Sequence, residues 1–241
     1  GEFRGWSFTD GDFYKSVEAM AYAYAMTKDE TINKKMDEII DVISKAQMED
    51  GYLHTMKQIR HGRKGFLHSS EHPYQMKELA PFTHAPQHEF YNFGHLMTAA
   101  CVHHRITGKK NFLNIAIKAS DLIYEKFKDP SPALADIDWN PPHYMGLVEM
   151  YRTTGDKKYL ELAETFINML GTATKKLEHF RGLDHSQRST PIREEEEAVG
   201  HAGHGNYLYA GVTDLYAETG EQALLDAIER IWESVTTKKM Y

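Results

Sequence analysis

The sequence has a single cysteine, Cys101, so no disulfide can form within the chain, and one thiol leaves the redox compartment open. It has no lysine-arginine cluster and a formal net charge of -7, a balance that offers no footprint for a phosphate backbone. Nucleic acid is therefore not an expected partner, and neutral or weakly charged small molecules fit better. Its longest apolar runs fall far short of the roughly 20 residues that a spanning helix needs, so no membrane partner is expected either. Nothing in it resembles a linker, and the 241 residues read as one large domain or part of one. The opening Gly1-Glu2-Phe3-Arg4-Gly5-Trp6 has neither the basic start nor the apolar stretch of a secretory signal. A leader removed beforehand would leave the same opening, so the compartment stays open. What the chain does have is apolar material, 41% hydrophobic and 12% aromatic, well above disordered composition and enough for a sizeable core.

That apolar material is punctuated at intervals. Thr107-Gly108 is followed by Phe112-Leu113, Thr154-Gly155 by Tyr159-Leu160, and Thr219-Gly220 by Leu224-Leu225. A degenerate copy, Thr27-Lys28-Asp29-Glu30 with Ile32, keeps the polar turn without the glycine. Glycine just past a helix end supplies the left-handed conformation that closes the last turn, and the apolar pair restarts the next helix. Each copy is therefore predicted to be the bend of a helical hairpin. The helices after the bends carry one apolar stripe, as in Leu224, Leu225, Ile228, Ile231, Trp232 and Val235. Those before them are richer in Gly, Ala and aromatics, as in Tyr207-Leu208-Tyr209-Ala210-Gly211-Val212, which suits helices packed on several sides. Irregular copies about 50 to 80 residues apart predict hairpins wrapped into a ring. The fold class is thus all-α, an α/α toroid, with hairpins over 12–47, 88–126, 141–171 and 201–239. Such a toroid commonly has six hairpins, so this ring is expected to be incomplete.

Two stretches fit no helix. Residues 49–86 hold glycines, prolines and histidines, and 177–199 is polar, ending in Glu194-Glu195-Glu196-Glu197. Loops of this length are usually functional lids or disordered. The acidic run reads as a solvated face, and His54, His61, His68 and His72 read as ordinary surface histidines.

Polar residues gather where the inner helices begin: Asp10 and Asp12, then His88-Glu89, then Asn140 and His143, then His201 and His204. In a toroid the inner helices run parallel, so these starts converge on one mouth of the ring. Helix starts present free N–H groups and a partial positive charge, which favour sugar hydroxyls and carboxylates. Trp6, Tyr91, Trp139 and Tyr207 lie beside them, and aromatic rings stack on the apolar faces of sugars. Taken singly, Asp10 or Asp12 also fits a helix cap, and each histidine fits a local hydrogen-bonding group. Together they predict a ligand site. The histidines come from different hairpins, with no His-Glu-x-x-His or Cys-x-x-Cys pair, so no metal site is expected. Cys101, among Ala99, Ala100 and Val102, reads as core.

Six segments carry a resemblance: Gly1-Glu2-Phe3-Arg4-Gly5, Asp10-Gly11-Asp12-Phe13-Tyr14-Lys15, Ala46-Gln47 with Asp50-Gly51-Tyr52-Leu53, His88-Glu89-Phe90-Tyr91, Ala198-Val199-Gly200-His201-Ala202 and Lys238-Lys239-Met240-Tyr241. In this order and spacing the chain resembles the N-terminal part of the catalytic domain of glycoside hydrolase family 127, the β-L-arabinofuranosidase-like enzymes. The resemblance implies an (α/α)6 barrel followed by β-sandwich domains, and exo-acting, retaining hydrolysis of L-arabinofuranose and related sugars. It implies that His88 and His201 contact the sugar. A third family histidine falls on Asn140, with His143 three residues later on nearly the same helical face. With the rim reading, the candidate substrate-binding set is His88, His201, His143, Asn140, Asp12 and Tyr91. Gly203-His204 stands where the commoner pattern has valine and arginine.

The resemblance also implies a zinc-held cysteine thiolate as nucleophile and a glutamate as acid/base, because zinc keeps a thiol deprotonated and a retaining pair sits about 5 Å apart. In the family those residues follow the Lys-Lys-Met-Tyr motif, so no catalytic residue is named here and no zinc is expected in this chain. The expected partners are a carbohydrate substrate and, through the uncovered flanks of an incomplete ring, a second copy. Two other readings fit the residues. One is a different toroid sugar enzyme, an epimerase, lyase or hydrolase, that uses the rim histidines as acid and base. The other is a non-catalytic carbohydrate-binding toroid.

Overall fold

Each of the four bends is closed by its threonine in the same way. The hydroxyl of Thr27, Thr107, Thr154 or Thr219 donates to the carbonyl four residues back, at 2.7 to 2.9 Å. The same oxygen accepts the N–H two residues on, at 3.1 to 3.4 Å. One side chain thus satisfies a donor and an acceptor where the helical ladder runs out. The glycines that follow, Gly108, Gly155 and Gly220, have φ of 72, 75 and 68°. In the degenerate copy Lys28 adopts the same left-handed turn, at φ 55°.

The computed structural model of the chain describes residues 5–61, 81–82, 88–130, 142–172 and 183–240. His68, His72, Trp139, Asn140 and Tyr241 lie outside the described residues. The helices are α1 (Thr9–Thr27), α2 (Glu30–Ala46), α3 (Thr55–His61), α4 (Glu89–Thr107), α5 (Asn111–Phe127), α6 (Pro142–Thr154), α7 (Lys157–Met169), α8 (Ala202–Thr219) and α9 (Gln222–Ser234). Short 3-10 turns occupy Asp184–Ser186 and Ile192–Glu194, and a π-helical turn, Val235–Lys239, follows α9. No strand occurs among the described residues. The four predicted hairpins are α1/α2, α4/α5, α6/α7 and α8/α9. The expectation that 49–86 holds no helix is corrected by α3, whose first residue is held from a distance: Thr55 donates its N–H and hydroxyl to the Asp10 carboxylate, at 2.7 and 2.5 Å.

The chain divides into two compact units, 1–125 and 126–241. In the first, α1 packs on α4 and α2. Helix α4 is buried on nearly every side, from Phe90 through Phe93, Leu96, Met97 and Ala100 to Cys101, as expected of an inner-layer helix. Helix α2 buries only the stripe Met36, Ile40 and Ile43. In the second unit α6 packs on α7 and α8, and α8 on α9, which buries Leu224, Ala227 and Ile231. Glycine lets inner helices approach closely. A Cβ at Gly11 of α1 would lie 2.7 Å from the Tyr91 ring, and one at Gly211 of α8 would lie 2.6 Å from the Tyr144 Cβ. Among the described residues no helix is long and apolar enough to cross a membrane.

Candidate functional site

In the first unit the rim is assembled by Asn92, fully buried on the first turn of α4. Its side-chain N–H donates to the Ser7 carbonyl at 2.8 Å, and its oxygen accepts the Gly11 N–H at 2.8 Å. Those two bonds register the start of α1 against the start of α4. His88 precedes α4 with φ 56°, a left-handed conformation that costs a non-glycine residue energy and is held only where its surroundings fix it. Its Nδ1 lies 2.7 Å from Ser7 Oγ, and its ring meets Phe8 and Tyr91 edge-on, at 5.3 and 6.2 Å. Trp6 stacks on Phe8 at 6.1 Å and is 45% exposed, so an open aromatic face adjoins this histidine.

Tyr91, Asp12 and Lys15 form one polar group beside it. Lys15 Nζ donates to the Tyr91 hydroxyl at 2.7 Å and to Asp12 Oδ1 at 2.8 Å, while Tyr91 donates to the same Asp12 oxygen at 3.3 Å. Partial burial works to lower the Lys15 pKa, but hydrogen bonds to Asp12 and Tyr91 outweigh it and hold the ammonium well above its ordinary range. One turn further along α4, His95 meets the Tyr91 ring at 4.5 Å. Burial, and next the Lys15 charge, lower its pKa to about 4, so it is neutral near pH 7.

Asp10 and Glu89 turn inward. Asp10 does not cap its own helix, because its carboxylate is spent on Thr55. Glu89 is buried and accepts from the Tyr52 hydroxyl at 2.5 Å, the Phe82 N–H at 2.8 Å and Lys57 Nζ at 3.3 Å. Burial, with the Glu89 charge second, pushes the Tyr52 hydroxyl well above its ordinary pKa. The expectation that His54 is a surface histidine is corrected. It is fully buried, because its backbone N–H donates to the Gln58 side chain and its ring nitrogen accepts the Lys57 N–H.

In the second unit His201 is the N-cap of α8. Its Nδ1 accepts the Gly203 and His204 N–H groups at 3.1 and 3.3 Å, and its ring is exposed. The ring stacks on His204 at 4.3 Å and meets His185 edge-on at 5.3 Å. His185 is absent from the predicted set. It arrives by a backbone route: the His201 N–H donates to the His185 carbonyl at 2.9 Å. Gly200 permits that approach with φ 74°, where a Cβ would lie 2.0 Å from the Asp184 carbonyl oxygen. The segment is fastened by Gln187 Nε2 on the Val199 carbonyl at 2.7 Å and by a bidentate Arg193–Glu221 pair at 2.5 and 2.8 Å. Arg230 adds bonds to the carbonyls of Arg193 and Glu195 at 2.8 and 3.2 Å.

The acidic run is not one solvated face. Glu194, Glu196 and Glu197 are exposed, but Glu195 is 5% exposed. Its pKa is raised to about 7 by burial first, then by the charges of Asp184 and Glu197. His143, on the first turn of α6, is fully buried, its ring 4.1 Å from Tyr144 and 4.8 Å from Phe166. The candidate set therefore divides into His88, Asp12 and Tyr91 at the rim of the first unit, and His201 at that of the second. His143 lies beneath the surface, and Asn140 lies outside the described residues.

A thiolate-held zinc does not fit the described residues. Cys101, the one thiol, is buried in α4, thirteen residues past His88 and about 20 Å along the helix axis at 1.5 Å per residue. No group of three His, Cys, Asp or Glu among the described residues is placed to hold a metal ion.

Helical hairpins with histidines and open aromatics at their starts define a class, the all-α proteins of α/α-toroid type, as expected from the sequence. The family model for the GH127 catalytic domain of β-L-arabinofuranosidases matches residues 1–241, and the chain belongs to that family. It is 30% identical to a non-reducing end β-L-arabinofuranosidase of Bifidobacterium longum subsp. longum, over all of this chain and 37% of that protein. A crystal structure of a GH127 β-L-arabinofuranosidase from Geobacillus stearothermophilus T6 aligns with TM-score 0.83 and 31% identity, over all of this chain and 38% of that one. Another GH127 β-arabinofuranosidase aligns with TM-score 0.82 and 34% identity, over all of this chain and 36% of its own. The chain thus spans little more than a third of the length of these relatives.

Proposed function

We propose that this chain forms the sugar-holding part of a retaining glycoside hydrolase that removes β-linked L-arabinofuranose, or a closely related sugar, from chain ends. The observation that carries the reading is the placement of His88 and His201 at the starts of α4 and α8 in a chain matched over its whole length by the GH127 family. In the first unit His88 contacts sugar hydroxyls, with Tyr91 and Asp12, ordered by Lys15, beside it; in the second unit His201 is the sugar-contacting residue at the start of α8. His143, on the first turn of α6, and Asn140, three residues before it in the sequence, are further candidates, and the burial of His143 ranks it behind His88 and His201. No residue of this chain is assigned as the family's zinc-bound thiolate, because its one cysteine, Cys101, is buried in α4, and none is assigned as the glutamate acid/base. Exposed Trp232 and Val42, at 68 and 66%, make self-association part of the proposal.

The test compares this chain with a version extended to the length of its relatives, measuring zinc content and release of L-arabinose from a β-L-arabinofuranoside. Activity and zinc in the long form alone support the reading. Full activity with thiolate-bound zinc in the short form overturns it. Light scattering tests self-association, and a monomer at high concentration overturns that part.

A further inference from the structure

The capping bonds of α8 constrain what His201 can offer a ligand. A backbone N–H is only a donor, and two of them point at Nδ1, so this nitrogen must present its lone pair. A neutral imidazole carries its one proton on the other nitrogen when the first accepts. The remaining nitrogen, Nε2, makes no hydrogen bond among the described residues, and the ring is exposed. His88 differs, because its Nδ1 meets a serine hydroxyl, which donates or accepts equally well and fixes no tautomer.

We propose that the N-cap of α8 locks His201 in its Nε2–H form, so that it meets the sugar only as a hydrogen-bond donor, to an acceptor oxygen, with His204 as the positioning residue that holds its ring plane. The donor role rests on the carbohydrate reading above, whereas the tautomer does not. Gly203 leaves the ring room, since a Cβ there would lie 3.1 Å from the His201 ring carbon Cε1 and shift the ring by a few tenths of an ångström.

The experiment begins with nitrogen NMR of histidine-labelled protein, with and without methyl β-L-arabinofuranoside. His201 is expected to show a bare Nδ1 and a protonated Nε2 in both states, with the Nε2–H slowed in exchange when sugar is present. A protonated Nδ1 or an even mixture of tautomers overturns the proposal. Four variants separate the two roles. His201→Asn keeps a good cap, so it should melt within a degree or two of wild type yet bind the sugar at least tenfold more weakly. His201→Ala should lose both, melting several degrees lower. Equal stability of the two variants overturns the capping claim. His204→Ala should weaken sugar binding several-fold and His204→Phe, which keeps a stacking ring, should restore it; failure of the phenylalanine to rescue overturns the positioning role. A wild-type protein that shows the Nε2–H form but does not bind the sugar overturns the donor role together with the carbohydrate reading, and leaves the tautomer standing.

Discussion

At the scale of single residues, the strongest commitments of the first unit are polar groups taken out of water. Glu89 and Lys57 form an ion pair at 3.3 Å, with side chains 2% and 8% exposed. Such a pair costs desolvation on both sides, and its value lies in what happens when one partner is removed. Glu89→Gln keeps the shape but takes the buried carboxylate charge away from Lys57, and the Phe82 N–H and Tyr52 hydroxyl lose a charged acceptor. A loss of roughly 3 kcal/mol is expected, read as a lower urea midpoint with unchanged slope. Gly11→Ala acts through volume instead. Its added carbon would sit 2.7 Å from the Tyr91 ring and 2.9 Å from the Asn92 side-chain oxygen, both parts of the rim. About 1 to 3 kcal/mol of destabilisation is expected, with weaker sugar binding as Tyr91 shifts, measured by calorimetry.

At the scale of elements, the bends are the repeating invention of the chain, and their threonines can be tested against an internal control. Thr154 donates to the Met150 carbonyl and accepts the Asp156 N–H, so Thr154→Val removes two bonds at a helix end. Thr165 donates to the Glu161 carbonyl in mid-helix, where the ladder is already complete. Thr154→Val should cost about 1 kcal/mol and Thr165→Val close to nothing, by denaturant melts of both variants. The hairpins were legible because bend chemistry is local: threonine, glycine and an apolar restart lie within six residues or so of one another. Helix α3 was not legible, because its start is fixed by a carboxylate 45 residues earlier, at Asp10. The rim starts at His88 and His201 were legible from the polar punctuation before α4 and α8. Their neighbours were not. His185 reaches His201 through a backbone bond and a glycine turn inside a stretch without periodicity, and Glu195 is buried because Arg230, from α9, pins its carbonyl. Local composition records neither event.

At the scale of the whole molecule, the buried titrating groups make the two units respond to pH with opposite sign. In the first unit His95 and His103, both on α4, have pKa values lowered to about 4, in each case chiefly by burial, with Lys15 and Lys109 as the next causes. Unfolding returns them to an ordinary value near 6.5, so between about 4 and 6.5 the unfolded chain binds more protons than the folded one. Stability from these residues is therefore complete above about 6.5 and is lost as the pH falls, on the order of 2 kcal/mol for each histidine. In the second unit Glu195 is raised to about 7, against an ordinary 4.5. Here the folded chain holds the extra proton between those values, and stability falls as the pH rises from about 4.5 to 7, by an amount on the order of 2 kcal/mol. Hydrogen exchange followed by peptide mass spectrometry, corrected for intrinsic rates, reads the units separately. Peptides of α1 and α4 should lose protection from pH 7 to pH 5, while those of α8 and α9 should gain it. Glu195→Gln should flatten the response of the second unit alone, and His103→Leu should reduce that of the first alone. A common direction in both units, or an unchanged slope in Glu195→Gln, would show that other groups govern the acid-base response of this chain.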